Sequence, residues 1–546
     1  MKKLLLAAFS SALLFTACKK KSLEVTNLNQ PSLDVLNTES GIIGYAKGFY
    51  KIGFGDQGVA SLDDGLGYGM LLIVNGFHES MGDNIFIPWG NNSYKFADNP
   101  TWVKLDNGVQ VNNPIGQGNP LELKLRNDRA YGASNAFLPE WTYMYFLNNT
   151  ANVLLSKADG TVFAGDAATK KKVLQAWAKW WKGYAYCRIG SMYIAGVIAE
   201  TPNSTNGQFV TNTAMVTEGI KNLDAAAAIL GTVASGGGYD EIIKQMIPLY
   251  MQPGGKFPSP AEWIRNINSF KARSILVNKR TKDMTAADYS SLLTIINNGI
   301  QASDYVFQVR TFADNSKSIF DKDYGSDRSY TATDDPTFWP SERLLQDYKA
   351  GDKRKSNNFN LLGSAVINKR GRGITFGTRY YLKDGGNGNG AYTYFNFDYG
   401  ADTYYIGASF AENQLMKAEC LINGGSQATI DQGIALIDGV RTLQGANLAA
   451  TPTGLTKVAA LEELRKERRC ALLFRGLAFY DLRRLGMTDD VSKGGGRTGC
   501  VVLDAAGAVQ TNCIINYNYL PYWDVPQNEI DFNAPASGSA PVKSPL

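Results

Sequence analysis

Hydrolytic and metal chemistry needs clusters of histidines, cysteines or facing carboxylates, and this chain offers few. It has one histidine, His78. A single imidazole excludes zinc hydrolases with several histidine ligands, HExxH types included, and weakens any histidine-based proton relay. His78-Glu79 reads as a helix end. GxSxG and GxxxxGK[ST] are absent, and Gly65-x-Gly67-x-Gly69 lacks the dinucleotide spacing, so those glycines read as loop. Asp63-Asp64 and Asp334-Asp335 are the pairs that acid–base work or calcium would use; solvated loop charge is the simpler reading. We expect no enzyme, no catalytic residue, no metal site and no cofactor. Aromatic side chains, by contrast, are plentiful: 28 Tyr, 25 Phe and 9 Trp. Most must be core, but the supply also allows flat stacking surfaces.

The six cysteines fall into three kinds. No CxxC occurs, so neither a metal nor a thioredoxin-type reading has support. Cys187, Cys420 and Cys470 lie in helical patterns and read as buried thiols. Cys500 and Cys513 lie symmetrically about Ala506-Gly507. With a turn there, they face each other as a non-hydrogen-bonded pair, where Cα atoms approach to about 4.5 Å. That is the short end of disulfide range, and an exported protein permits the bond, so a Cys500–Cys513 disulfide is expected. Cys18 ends an export signal. Lys2 and Lys3 precede an apolar run, Leu4 to Phe15, that is too short to span a bilayer. The run closes in Leu14-Phe15-Thr16-Ala17-Cys18, which resembles a bacterial lipobox, with Phe15 in place of the usual aliphatic residue. We expect residues 1–17 to be a lipoprotein signal peptide, Cys18 to carry the lipid, and 18–31 to be a polar tether.

The elements that must position any site are helices. Apolar and aromatic residues recur at helical spacing from Phe137 to Ala158. Val173, Trp177, Trp180, Tyr184 and Cys187 follow steps of four and three along one face. Further helical stretches run over Ala214–Leu230, Pro260–Asn278, Ala286–Ala302, Ala408–Asn423, Thr429–Thr442 and Val458–Phe474. In the last, Glu462 and Lys466 are placed for an i,i+4 pair. Such stripes must stack on neighbours, the logic of tetratricopeptide-like repeats, although no clean 34-residue self-similarity appears. The stretches 53–125 and 304–405 have little helical period and are rich in Gly and Asn. With 44% apolar and 19% charged residues the chain supports a sizeable core. A net charge of +5, two of it in the signal, gives no basic face for nucleic acid.

One block then carries a likeness. Glu463-Leu-Arg-Lys-Glu467-Arg468-Arg469-Cys-Ala-Leu-Leu-Phe474-Arg-Gly476, running on through Asp481-Leu482-Arg483-Arg484-Leu-Gly486, closely resembles the SusD/RagB signature, roughly ERRxELxFEGxRxxDLRRxG. Cys470-Ala471 replaces an acidic-apolar pair, and Arg475 replaces a glutamate. The segments Ala411–Leu421 with Ile437–Arg441, and Val525-Pro526-Gln527-Asn528-Glu529-Ile530-Asp531-Phe532-Asn533, resemble further blocks of that family. Glu79 to Asp83 resembles its acidic turn. The arginines of the signature, with Asp481 and Glu467, read as ties between the last helices and the scaffold.

The resemblance implies a mainly α, tetratricopeptide-like helical-repeat scaffold with long irregular loops and a few short β-hairpins. It divides the chain into an N-terminal helical-repeat part, 32–303, with a loop insertion at 53–125, and a C-terminal part, 304–546, packed on it. It implies a lipid-anchored outer-membrane lipoprotein that captures a nutrient, here taken as an oligosaccharide, and delivers it to a SusC-like TonB-dependent barrel. A sugar ring rests its C–H face on Trp or Tyr, while amides bind its hydroxyls. The candidates, taken from the irregular segments, are Trp89, Tyr94, Trp102, Tyr330 and Trp339, with Asn91 and Asn92 as polar partners. A helical scaffold that binds only protein, and a surface glycosidase, are the competing readings.

Overall fold

The computed structural model describes residues 33–50, 73–89, 93–310, 338–382 and 403–545. The signal, the tether and Cys18 lie outside the described residues, as do Asn91, Asn92, Tyr330 and the aspartate pairs at 63–64 and 334–335. The main helices are α1 (Glu39–Lys47), α2 (Asn75–Met81), α3 (Leu138–Ala158), α4 (Ala167–Met192), α5 (Asn212–Leu230), α6 (Gly237–Met246), α7 (Pro260–Leu276), α8 (Ala286–Asn297), α9 (Phe410–Asn423), α10 (Gln427–Leu443), α11 (Lys457–Ala471) and α12 (Ala478–Arg484). The chain is mainly α, as expected.

Local chemistry sets where these helices begin. Asp166, Thr211, Ser409, Ser426 and Thr456 each accept a hydrogen bond from a first-turn amide. Ser259 with Glu262, and Thr285 with Asp288, form reciprocal capping boxes on α7 and α8. The helices then stack in succession. α4 lies between α3 and α5, α7 packs on α5, α8 on α7, α9 on α8, and α10 and α11 close on α9. The stripe read from the sequence is the seam of this stack, since Val173, Trp177, Trp180, Tyr184 and Cys187 are all buried. At the α4–α5 crossing a Cβ on Gly219 would sit 2.6 Å from Cys187 Sγ and 2.8 Å from its backbone nitrogen, so only glycine lets the two helices meet there. Cys187, Cys420 and Cys470 are buried thiols.

Short strands join distant parts of the chain. β1 (Ile85–Phe86) pairs with β7 (Trp339–Pro340), and β6 (Gln308–Arg310) with β10 (Thr403–Tyr405). β4 (Ala195–Val197) and β5 (Phe209–Thr211) form one hairpin, β8 (Phe359–Val366) and β9 (Thr378–Leu382) another. β2 (Trp102–Lys104), β3 (Gln110–Asn112), β11 (Arg497–Leu503) and β12 (Val509–Asn516) form one sheet in the order β11-β12-β2-β3. Within β11–β12, Cys500 faces Cys513 as the sequence predicts. The turn is one residue longer than expected. Leu503 opposes Val509, Gly507 takes φ +85°, and an irregularity between Cys500 and Val502 restores the cysteine register. The expected disulfide is not formed between them, and both cysteines stand as free thiols, each sulfur turned to its own acceptor. Cys500 Sγ lies 3.5 Å from the Arg497 carbonyl and Cys513 Sγ 3.5 Å from Asp106 Oδ1.

One hydrophobic core runs from Ile42 to Val525 and so draws on both ends of the chain. Buried ion pairs cross it. Asp83, at the end of α2, accepts from Arg343 (2.8 Å) and from the Tyr517 hydroxyl (2.6 Å). Arg354 donates to Glu467 at 2.6 Å, and Arg484 to Glu419 at 2.6 Å. Of the signature arginines, Arg484 thus ties α12 to α9 and Arg468 ties α11 to Asp481 of α12 at 3.0 Å, as expected, and Glu462 and Lys466 form their i,i+4 pair at 3.5 Å. Arg475, which replaces a glutamate of the signature, lies over the Tyr405 ring. His78 lies buried in α2 beside Glu140, 3.0 Å away. This places the single imidazole in the packing of α2 against α3.

Glu79 makes this interior pH-sensitive. Its carboxylate accepts from Asn84 Nδ2 (2.7 Å) and from the Gly476 amide (2.8 Å), but burial pushes its pKa up to about 7 from 4.5. The stability it contributes is full below about pH 4.5 and is lost as pH rises through about 7. Glu79→Gln mimics the protonated form. We expect the thermal midpoint of the variant to fall less than that of the wild type between about pH 5 and 8, measured by calorimetry. Parallel pH profiles for the two proteins would refute this.

Candidate functional site

Of the sequence candidates among the described residues, Trp89, Trp102 and Trp339 gather about the tip of the β8–β9 hairpin, residues 367–377. The sequence there, Asn368-Lys-Arg-Gly-Arg-Gly373, forces a tight turn: Asn368, Arg370, Gly371 and Gly373 all have positive φ. Asn368 Oδ1 accepts from the Gly373 amide at 2.6 Å and fixes the bend. Arg372 then clamps the tip onto the 85–99 segment. Its Nη1 donates to the carbonyls of Ile87 (2.9 Å) and Pro88 (3.0 Å), and its Nη2 donates to Lys95 O, Asp98 Oδ1 and Asn99 Oδ1. Burial pushes the Asp98 carboxyl up to about 6 against the pull of Arg372.

Around this clamp the tryptophans differ. Trp89 is half-buried, and the exposed Arg370 lies over its ring at 3.2 Å from the centroid. Trp102 is half-buried on β2 and lines a narrow crevice with Asn113, Gly373 and Thr375. Trp89 Nε1, Asn99 Nδ2 and Asn113 Nδ2 are buried donors without a protein partner. Such aromatic surface suits a hydroxyl-rich ring laid against the face, since the crevice itself, about 10 Å³, admits no more than a water.

Two candidates are corrected. Tyr94 is 4% exposed: its hydroxyl donates to the Ile73 carbonyl at 2.8 Å and its ring packs on Phe77 at 4.4 Å. Trp339 is 2% exposed, stacked on Phe86 with Lys369 over its ring. Neither offers a face to a ligand, because β1–β7 pairing and the α2 contact draw both rings into the core. Sequence reasoning missed Arg370, Arg372, Asn99 and Asn113. The run of turn residues between Asn368 and Gly373 signalled the bend, but its contact with residues 85–99 is non-local and left no local pattern. Among the described residues, no group of three or more His, Cys, Asp or Glu is placed to hold a metal, and no helix is long and apolar enough to cross a membrane.

With this geometry in hand, solved structures place the fold. The chain is similar to a SusD-like carbohydrate binding protein from Bacteroides vulgatus ATCC 8482, at TM-score 0.55 and 12% identity, over 92% of this chain and 98% of that one. It is similar to a SusD-like carbohydrate binding protein from Bacteroides fragilis NCTC 9343, at TM-score 0.56 and 14% identity, over 91% and 99%. A SusD superfamily protein from the same organism matches at TM-score 0.55 and 13% identity, over 92% and 99%. No protein-family model and no curated protein matches the sequence. The fold is therefore a helix-rich one built from stacked helices with short accessory strands. It is the SusD-like fold, which the signature block led us to expect.

Proposed function

We propose that this protein is a SusD-like, non-catalytic carbohydrate-binding lipoprotein of the outer membrane, anchored through Cys18, that captures an oligosaccharide and passes it to a SusC-like TonB-dependent barrel. The observation that carries the reading is the shared fold over nine-tenths of the chain with proteins described as SusD-like carbohydrate binding proteins. The half-exposed Trp89 and Trp102, with unsatisfied Asn donors beside them, support glycan as the ligand class. The lone, buried His78 speaks against acid–base turnover of it.

The test is co-purification. Tagged full-length protein, solubilised from outer membranes of its native host with mild detergent, is expected to bring down a TonB-dependent barrel, and Cys18→Ala is expected to leave the protein outside the membrane fraction. Recovery without a barrel would refute delivery. Membrane retention of Cys18→Ala would refute the anchor.

A further inference from the structure

We infer that a groove between α3, the end of β4 with the loop after it, and the C-terminal segment 528–532 is a second binding site, for a neutral oligosaccharide; this rests on the reading of the protein as a glycan binder. The groove encloses about 370 Å³ and shares no lining residue with the tryptophan face. One face of α3 supplies its floor, where Trp141, Tyr145 and Asn149 recur four residues apart. Phe532, 77% exposed, stands at its rim with the Arg129 guanidinium over the ring.

The polar lining has two acceptors that nothing in the protein satisfies. Asn148 is 2% exposed. Its Nδ2 donates to the Ala199 carbonyl at 3.0 Å, while its Oδ1 has no partner. Asn528 Oδ1 is likewise buried and unpartnered. Leaving a buried acceptor unmade is costly, so a donor from a bound molecule gains at these positions. Thr142 and Ser204 add hydroxyls. The groove walls are held rigidly. Asn149 Nδ2 donates to Asn203 Oδ1 at 3.0 Å and Asn149 Oδ1 accepts from the Asn203 amide at 2.7 Å, fixing the loop after β4. Trp141 Nε1 donates to Glu529 at 3.2 Å, fixing the C-terminal segment.

Charge and backbone chemistry choose the occupant. Glu529 carries the one formal charge among the lining residues, and Trp141 and Asn533 already engage its two oxygens. The lining itself holds no cation, and Arg129 at the rim already faces Asp531 at 3.9 Å, so an acidic ligand finds no free counter-charge. A peptide added as a strand would need free backbone groups along the β4 edge. Those are taken: the Val197 amide and carbonyl both bond the Tyr145 hydroxyl, and the Ala199 amide and carbonyl both bond the Tyr186 hydroxyl. A neutral sugar, with C–H faces for the rings and hydroxyl donors for the two orphaned amide oxygens, suits what remains.

Isothermal titration of the full chain with maltohexaose, cellohexaose, xylohexaose and mannohexaose tests this, alongside Phe532→Ala and Ser204→Trp. Both positions are exposed, so both variants are expected to keep the wild-type thermal midpoint. For at least one of these sugars the wild type is expected to show two binding events. Each variant should weaken one event about tenfold and leave the other unchanged, whereas Trp89→Ala does the converse. Isotherms of both groove variants that match the wild type, while Trp89→Ala weakens binding, would overturn the groove site and leave the proposed function standing. No heat with any sugar would overturn both. Binding of a casein tryptic digest that Phe532→Ala abolishes, in place of sugar, would overturn the ligand class.

Discussion

Asp347→Asn is expected to lower the unfolding free energy by about 3–5 kcal/mol, the usual cost of removing one partner from a buried charge network. Asp347 is 2% exposed and accepts from three guanidinium groups: Arg465 at 3.0 Å, Arg469 at 3.4 Å and Arg497 at 2.9 Å. Burial acts to raise its pKa, yet Arg497, Arg469 and Arg465 together hold the carboxyl well below the usual range. An amide in its place leaves the buried Arg469 and Arg497 facing each other without their shared anion, while the half-buried Arg465 keeps Glu462. The same network reaches Asp83, just past the end of α2, so the loss unties the signature helix α11 from the N-terminal part. Urea unfolding followed by circular dichroism reads the effect. As an internal contrast, Lys221→Gln removes the exposed partner of Glu218, its side chain 75% exposed, and is expected to leave the urea midpoint nearly unchanged. Equal midpoints for the two variants would contradict the account.

The second large effect separates the tryptophans that the sequence could not tell apart. Trp339→Ala empties a buried site between Phe86 and the β8–β9 hairpin and is expected to cost about 3–5 kcal/mol of stability. Trp89→Ala removes a half-exposed ring under Arg370 and is expected to leave the thermal midpoint nearly unchanged while weakening glycan binding about tenfold. Paired calorimetry and titration on the two variants distinguish the roles. A Trp339→Ala variant that folds normally and loses only binding would return that residue to the ligand surface.

This pair shows where the sequence stops being legible. Helical stripes are local, so Val173 through Cys187 marked the seam of the stack and Glu462 with Lys466 marked an exposed pair. The signature arginines were readable as ties because their number in one short block demands partners. Which partners they take was not readable: Asp347, Asp83 and Glu419 lie far away in the chain. Pairing between strands far apart in the chain was hidden for the same reason, whereas the local β11–β12 hairpin was legible. β2 lies in a Gly- and Asn-rich stretch without period, and what makes it a strand is β12, where Trp102 faces Asn516. An aromatic residue in an irregular segment looks alike whether such pairing buries it, as with Trp339, or leaves it at a rim, as with Trp89. The α3 groove was hidden in the opposite way. Trp141 and Tyr145 sit in a strong helical pattern and read as core, although Tyr145 is half-exposed and the loop after β4 arrives to make a wall.

The proposed function requires that this stacked-helix body hold a glycan without transforming it. Equilibrium dialysis of the full chain against a fluorescently labelled oligosaccharide pool, followed by chromatography of what is retained, tests it most directly. Particular oligosaccharides are expected to be retained saturably and recovered at their original chain length. A pool that equilibrates evenly across the membrane, or retained sugars recovered as shorter fragments, would contradict it.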